Sequence, residues 1–156
     1  MSEFLARRLV RSNEMRHTAP VEAVFPLLCP VLEYDWIPHW RCEMIHSECG
    51  VAETDCVFTT QFPDTGPQTW TCSRYEPPLR IDYVIMGPHH VTRLGIRLEE
   101  LAQGSRSIWT RTYTGLDEQG NAVVDAVTEA HYAAQATLLE RLLNHYLQTG
   151  SMLHPE

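Results

Sequence analysis

Prolines set the first limit on what this chain can become. Nine of its ten prolines lie between Pro20 and Pro88 and the tenth is Pro155, so residues 89–154 contain none. Proline fixes φ and removes a backbone donor, which cuts the first half into short elements and leaves the second free to build long ones. No internal repeat, low-complexity tract or linker interrupts the 156 residues, and that length suits one domain with its core at about 8–150.

Within that limit the residue pattern assigns elements. Residues 7–17 alternate imperfectly and read as a strand. Pro20 suits a first helical position, Glu22 complements the helix dipole, and Val21, Val24, Phe25 and Leu28 follow at helical spacing. Pro26 and Pro30 keep this helix short, and a second short helix or turn fits 32–37 before Pro38. Six strands are then expected at 40–47, 55–62, 68–75, 79–86, 91–101 and 106–115. Between them lie Cys49-Gly50, Pro63 to Pro67, Pro77-Pro78, Gly87-Pro88 and Gln103-Gly104. Leu94, Ile96 and Leu98 against Arg93, Arg97 and Glu99 mark one buried face and one wet one. The last segment, 121–149, follows Gly120-Asn121 and ends at Gly150. It is expected to be one helix, about 43 Å long if continuous. Its stripe is Val124, Val127, His131, Ala134, Leu138 and Leu142, widened by Ala130, Leu139 and Tyr146.

Charge narrows the partners. The net charge is −8, and all twelve positive side chains are arginine. A basic footprint for nucleic acid or anionic lipid is missing, so neither is an expected partner. No apolar run approaches the roughly 20 residues of a membrane-spanning helix. Arg7, Arg8 and Arg11 arrive with no apolar signal region before them, so a cytoplasmic location is expected. The five cysteines form no CxxC pair and are expected to be reduced.

A curved antiparallel sheet that buries one face against one long helix is hard to fill completely, and the gap is a common form of small-molecule site. The order of elements and three stretches resemble a known superfamily. These are Thr18-Ala19-Pro20-Val21-Glu22-Ala23-Val24-Phe25, then Trp36-Ile37-Pro38-His39-Trp40 with Ile108-Trp109-Thr110-Arg111-Thr112-Tyr113, then Leu143-Asn144-His145-Tyr146-Leu147. The chain resembles the START and birch-pollen-allergen (SRPBCC) superfamily, also called the polyketide cyclase/dehydrase and lipid transport group. The resemblance implies an α+β helix-grip fold, with a curved antiparallel sheet of six to seven strands in the order β-α-α-β6-α around a long C-terminal helix. Carriers, receptors and cyclases share that fold, so it does not choose an activity.

The residues offer several sites. A two-residue turn at Gln103-Gly104 pairs Leu98 with Trp109, Ile96 with Arg111 and Leu94 with Tyr113, which puts Arg111 inside to clamp a carboxylate or phenolate. A one-residue slip instead puts Arg111 in solvent. His131 on the helix stripe is either a structural hydrogen-bonding group or an acid/base partner of Tyr83, Tyr113 or Arg111. Trp36, Trp40, Phe58, Trp70 and Tyr83 are core or cavity wall, and Val127, Gln135 and Leu138 would face the same space from the helix. His39, Cys42, His46 and Cys49 carry metal-binding atoms but lack the geometry on a regular strand, so no metal is expected. No nucleophile elbow, phosphate loop or dinucleotide fingerprint is present, and no cofactor is implied. The leading expectation is a binder of a small hydrophobic or aromatic molecule. A cyclase- or dehydratase-type enzyme using His131, Tyr113 and Arg111, and a partner-binding regulatory module, are the alternatives.

Overall fold

The computed structural model describes residues 3–155. Seven strands form one antiparallel sheet: β1 Arg8–His17, β2 Glu43–His46, β3 Val57–Phe62, β4 Gly66–Glu76, β5 Arg80–Met86, β6 His90–Glu100 and β7 Ser105–Gly115. Their order is β1-β7-β6-β5-β4-β3-β2, so the first strand closes against the last while the others follow as hairpins. Between β1 and β2 lie the helical turn α1, Val21–Val24, and two 3₁₀ turns, Phe25–Leu28 and Leu32–Asp35. Prolines hold them short, and their carbonyls receive buried donors. Trp36 Nε1 donates to Leu27 O at 2.8 Å, Trp40 Nε1 to Pro30 O at 2.8 Å and the Tyr83 hydroxyl to Leu28 O at 2.9 Å. Tyr83 thus latches the turns onto the sheet, the two tryptophans tie the turn segment to itself, and all three satisfy their own polar atoms.

The expected single C-terminal helix is two. α2 spans Glu118–Asp125 and α3 spans Glu129–Thr149. Asp117 caps α2 through Gly120 N, and Thr128 caps α3 through His131 N, so each helix has its own start signal. Gly120-Asn121 does not open the helix but lies inside its first turn. A side chain at Gly120 would strike His89 O at 1.7 Å, while Asn121 Nδ2 donates to Leu5 O at 3.0 Å. The restart at Thr128 also changes the phase of the stripe. Tyr132, Leu142 and Leu143 are buried, with Leu139, Tyr146 and Leu147 packed against the core. His131 and Ala134 are exposed, and Leu138 is 41% exposed.

The β6–β7 hairpin corrects a second expectation. Its loop is four residues, closed by Glu100 opposite Ser105 and by Leu101 N to Gly104 O at 3.0 Å. The register is therefore two residues away from the expected one: Leu98 faces Ser107, Ile96 faces Trp109 and Leu94 faces Arg111. A shift of two preserves the pleat, so Trp109, Arg111 and Tyr113 still share the concave face with Leu94, Ile96 and Leu98. Gly104 is required at this turn, because its φ is +77° and a Cβ would meet His17 O at 2.1 Å.

α3 also covers the open edge of β1, where unpaired backbone groups would invite another strand. Glu140 accepts from Arg16 N at 2.8 Å, and Asn144 Nδ2 donates to Arg16 O at 2.8 Å.

Candidate functional site

The concave face is a set of cross-strand rows, and its two ends differ. At one end, Met15, Phe25, Leu28, Trp36, Ile81, Ile96 and Leu143 close into a core in which each is at most 4% exposed. Trp36, Phe58, Tyr83, Leu94, Ile96, Leu98 and Trp109, all expected to border a cavity, are likewise buried. Phe58, Trp70 and Tyr83 lie with ring centroids 5.2–5.9 Å apart, and Trp40 meets Trp70 at 6.1 Å. Aromatic packing of this kind fills the middle of the face. Toward the other end the face stays open: Trp70, His90, Arg111 and Tyr113 point to the concave side yet remain half-exposed.

The enclosed space between α3 and the sheet is small. It measures about 30 Å³ and is bordered by Asn13, Trp109, Arg111, Tyr132, Gln135 and Leu139. That is room for a water, not for the drug-sized ligand of a closed pocket. A hollow of about 690 Å³ lies elsewhere, against Arg41, Glu43, Thr59, Gln61, Thr69 and Met86. Thr60, Gln68 and Gly87 border it too, which places it at the ends of β3, β4 and β5, away from α3.

Arg111 is the centre of the open half. It faces Arg11 across β1 and β7, and the two guanidinium groups behave differently. Arg11 donates from Nε and Nη2 to Val127 O at 3.2 and 3.0 Å and lies 3.8 Å from Glu129, so it holds the junction between α2 and α3. Val127, expected to offer its side chain to the cavity, instead contributes this carbonyl. No carboxylate lies within 4.0 Å of Arg111 among the described residues. Its field nevertheless reaches three acids from three elements. Burial pushes the Glu33 carboxyl up to about 8, and Arg111 partly offsets this. Burial likewise raises the Tyr113 and Tyr132 phenols, again opposed by Arg111. Tyr132 donates to Asn13 Oδ1 at 2.9 Å, which fixes it beside the guanidinium.

His131 does not join this group. It sits on the exposed side of α3 with its Nε2 3.1 Å from Gln135 Nε2, so the expected trio of His131, Tyr113 and Arg111 does not converge. Leu138 also faces outward. Glu33 escaped the sequence reading, although an acid beside Leu32, Trp36 and Ile37 between Pro30 and Pro38 was its signal. Among the described residues, no cluster of three or more His, Cys, Asp or Glu is placed to hold a metal ion, the His39–Cys49 group included.

None of the protein-family models matches this sequence, and no curated protein matches it. Solved structures do. An uncharacterized protein from Rhizobium leguminosarum matches with a TM-score of 0.66 at 16% identity, over 92% of this chain and 97% of that one. The protein Ara h 8.0201 matches with a TM-score of 0.64 at 13% identity, over 92% and 99%. The fold is the helix-grip fold that these structures share. Norcoclaurine synthase from Thalictrum flavum, in complex with dopamine and hydroxybenzaldehyde, shares it with a TM-score of 0.66 at 13% identity, over 90% of this chain and 89% of that one. At such identities the likeness is one of fold, and activity has to be argued from the site. Among the described residues, no helix is long and apolar enough to cross a membrane.

Proposed function

We propose that the open half of the helix-grip cleft binds a small aromatic or otherwise apolar molecule bearing an acidic group, with Arg111 as its anion clamp. The observation that carries this is the unmatched charge: a half-buried guanidinium with no carboxylate within 4.0 Å among the described residues, set beside Trp109, Tyr113 and Tyr132. A guanidinium drawn from water needs an anionic partner, and its planar fork suits a carboxylate, sulfonate or phenolate. Trp70 and Tyr113 offer aromatic faces to the rest of the ligand. That a helix-grip neighbour holds two aromatic molecules, dopamine and hydroxybenzaldehyde, is in keeping with this reading.

The test uses 8-anilinonaphthalene-1-sulfonate, an aromatic sulfonate that fluoresces when it leaves water. Saturable binding of one dye per chain is expected, and Arg111→Gln should weaken it by about ten-fold, the loss of one charge-assisted contact. Dye binding that is unsaturable, or untouched by the substitution, overturns the reading.

A second reading, proton-transfer chemistry of the cyclase or dehydratase type in the same cleft, rests on Glu33. Its carboxyl keeps its proton to about pH 8, as a general acid at neutral pH must. It replaces His131 in that role.

A further inference from the structure

A polar row crosses the open end of the concave face. Thr60 on β3 faces Gln68 on β4, Gly87 follows at the end of β5, and His90 on β6 receives Gly87 N at its carbonyl at 2.9 Å. Gly87 has no side chain, so Gln68 and His90 both border the space above it. A Cβ built there would lie 3.7 Å from His90 Cε1 and 3.8 Å from Gln68 Nε2.

Gln68 is the anomaly. It is only 8% exposed, yet its amide makes no hydrogen bond among the described residues and is not sealed from solvent either. Water therefore reaches the amide, and its two donors and one acceptor stand free for a ligand group that replaces that water. Thr92, one row deeper and 3% exposed, likewise has no side-chain hydrogen bond. The His90 imidazole is neutral here, since burial and neighbouring His89 both lower its pKa. It can therefore accept at one nitrogen and donate at the other. All three groups are uncharged and hydrogen-bond in both directions, which distinguishes them from Arg111.

We infer that Gln68 and His90 form a second subsite, separate from the Arg111 clamp, that takes a hydroxyl or carbonyl group of the ligand. Resting on the proposed binding function, this narrows the ligand class to aromatic acids that carry such a group at the end remote from the acid. Gln68 and Arg111 lie three strands and two rows apart, about 20 Å between Cα atoms on a flat sheet. Two long side chains on a concave face shorten that span. The row between them is Trp70, Ile85 and Thr92, of which Trp70 is half-exposed and the other two are buried.

Calorimetric titration of the full chain with 4-hydroxycinnamate and with cinnamate tests this. The two acids differ by one hydroxyl, and a site built to bond that hydroxyl rejects the analogue lacking it. The hydroxylated acid is expected to bind about five- to ten-fold tighter. Gln68→Leu and His90→Phe should each remove the preference and leave cinnamate binding in place, while Arg111→Gln should weaken both acids alike. Equal binding of the two acids to the unsubstituted chain, or a preference that survives in whichever of the two variants folds, overturns the subsite and leaves the clamp standing. If neither acid binds at millimolar concentration, the clamp falls and the subsite with it.

Discussion

The two halves of α3 are built differently. In the last part of the helix Leu142 and Leu143 are buried, with Leu139, Tyr146 and Leu147 beside them in the core. In the first ten residues, 129–138, only Tyr132 is buried, and the neighbouring junction hangs on Arg11 through one carbonyl. One half is a structural beam and the other a roof over the open cleft. Apolar area taken from water stabilises the last part of the helix, whereas local opening is cheap where few such contacts exist, as in its first ten residues. Fold and site have separate supports along one continuous helix.

The largest effect that could break this contrast is a cavity in the beam. Leu143 is fully buried, so Leu143→Ala should cost about 2–5 kcal/mol. Leu138→Ala, at a position 41% exposed, should cost about 0.5 kcal/mol or less. Denaturant unfolding of both variants measures the difference; equal costs would mean that the roof is packed as tightly as the beam.

A smaller effect reads the joint between beam and sheet. His17 is buried between Asn144 Oδ1 at 2.7 Å and Ser107 Oγ at 2.8 Å. Trp109 Nε1 can only donate, and it donates to Ser107 Oγ at 2.9 Å. The Ser107 proton is then free for His17 Nε2, which accepts it, while Nδ1–H donates to Asn144. A second ring proton would leave Nε2–H facing the Ser107 proton in a buried site. Burial accordingly lowers the His17 pKa from 6.5, against the opposing pull of Asn144 and Glu140. The unfolded chain then binds the extra proton more readily than the folded one. This contribution is complete above pH 6.5 and fades as the pH falls through the folded value. His17→Gln should flatten the acid side of the melting-temperature profile between pH 7.5 and 5, by about 2–4 °C per kcal/mol. A variant profile parallel to that of the parent would show that the joint does not titrate.

Much of the scaffold was legible in the sequence because its signals are local. Alternation in 91–101 and 106–115 and the turns between strands placed β6 and β7 within a residue or two, and the pleat carried Arg111 to the concave side despite the wrong register. The beam was half legible. Leu142 was in the expected stripe, but a capping threonine in mid-segment restarted the helix and turned His131 and Leu138 outward. The site was least legible, because it depends on which unpaired groups the folded chain brings to one side. Glu33, Gln68 and Arg111 come from a 3₁₀ turn and two strands, and no spacing in the chain links them.

The finest test concerns the roofed cleft itself. Glu33 and Arg111 sense each other, yet no cation lies within 4.0 Å of the Glu33 carboxyl among the described residues, so the acid is held near pKa 8 mainly by burial. Below pH 8 a neutral Glu33 leaves Arg111 free to bind an anion; above it, the new negative charge competes for the same guanidinium. The affinity for 8-anilinonaphthalene-1-sulfonate should therefore hold steady from pH 6 to about 7.5 and fall by about five- to ten-fold by pH 9.5, the lower end of the usual coupling between two sites. Glu33→Gln removes the titrating group and keeps the side chain's shape, so its affinity should stay level over the same range. Folding stability carries the matching sign. An acid whose pKa is raised on folding takes up a proton, so its contribution is fully present below its ordinary 4.5 and is lost as the pH climbs to about 8. If dye affinity instead falls with the same midpoint in both proteins, another group sets the pH response, and Glu33 lies outside the binding half of the cleft.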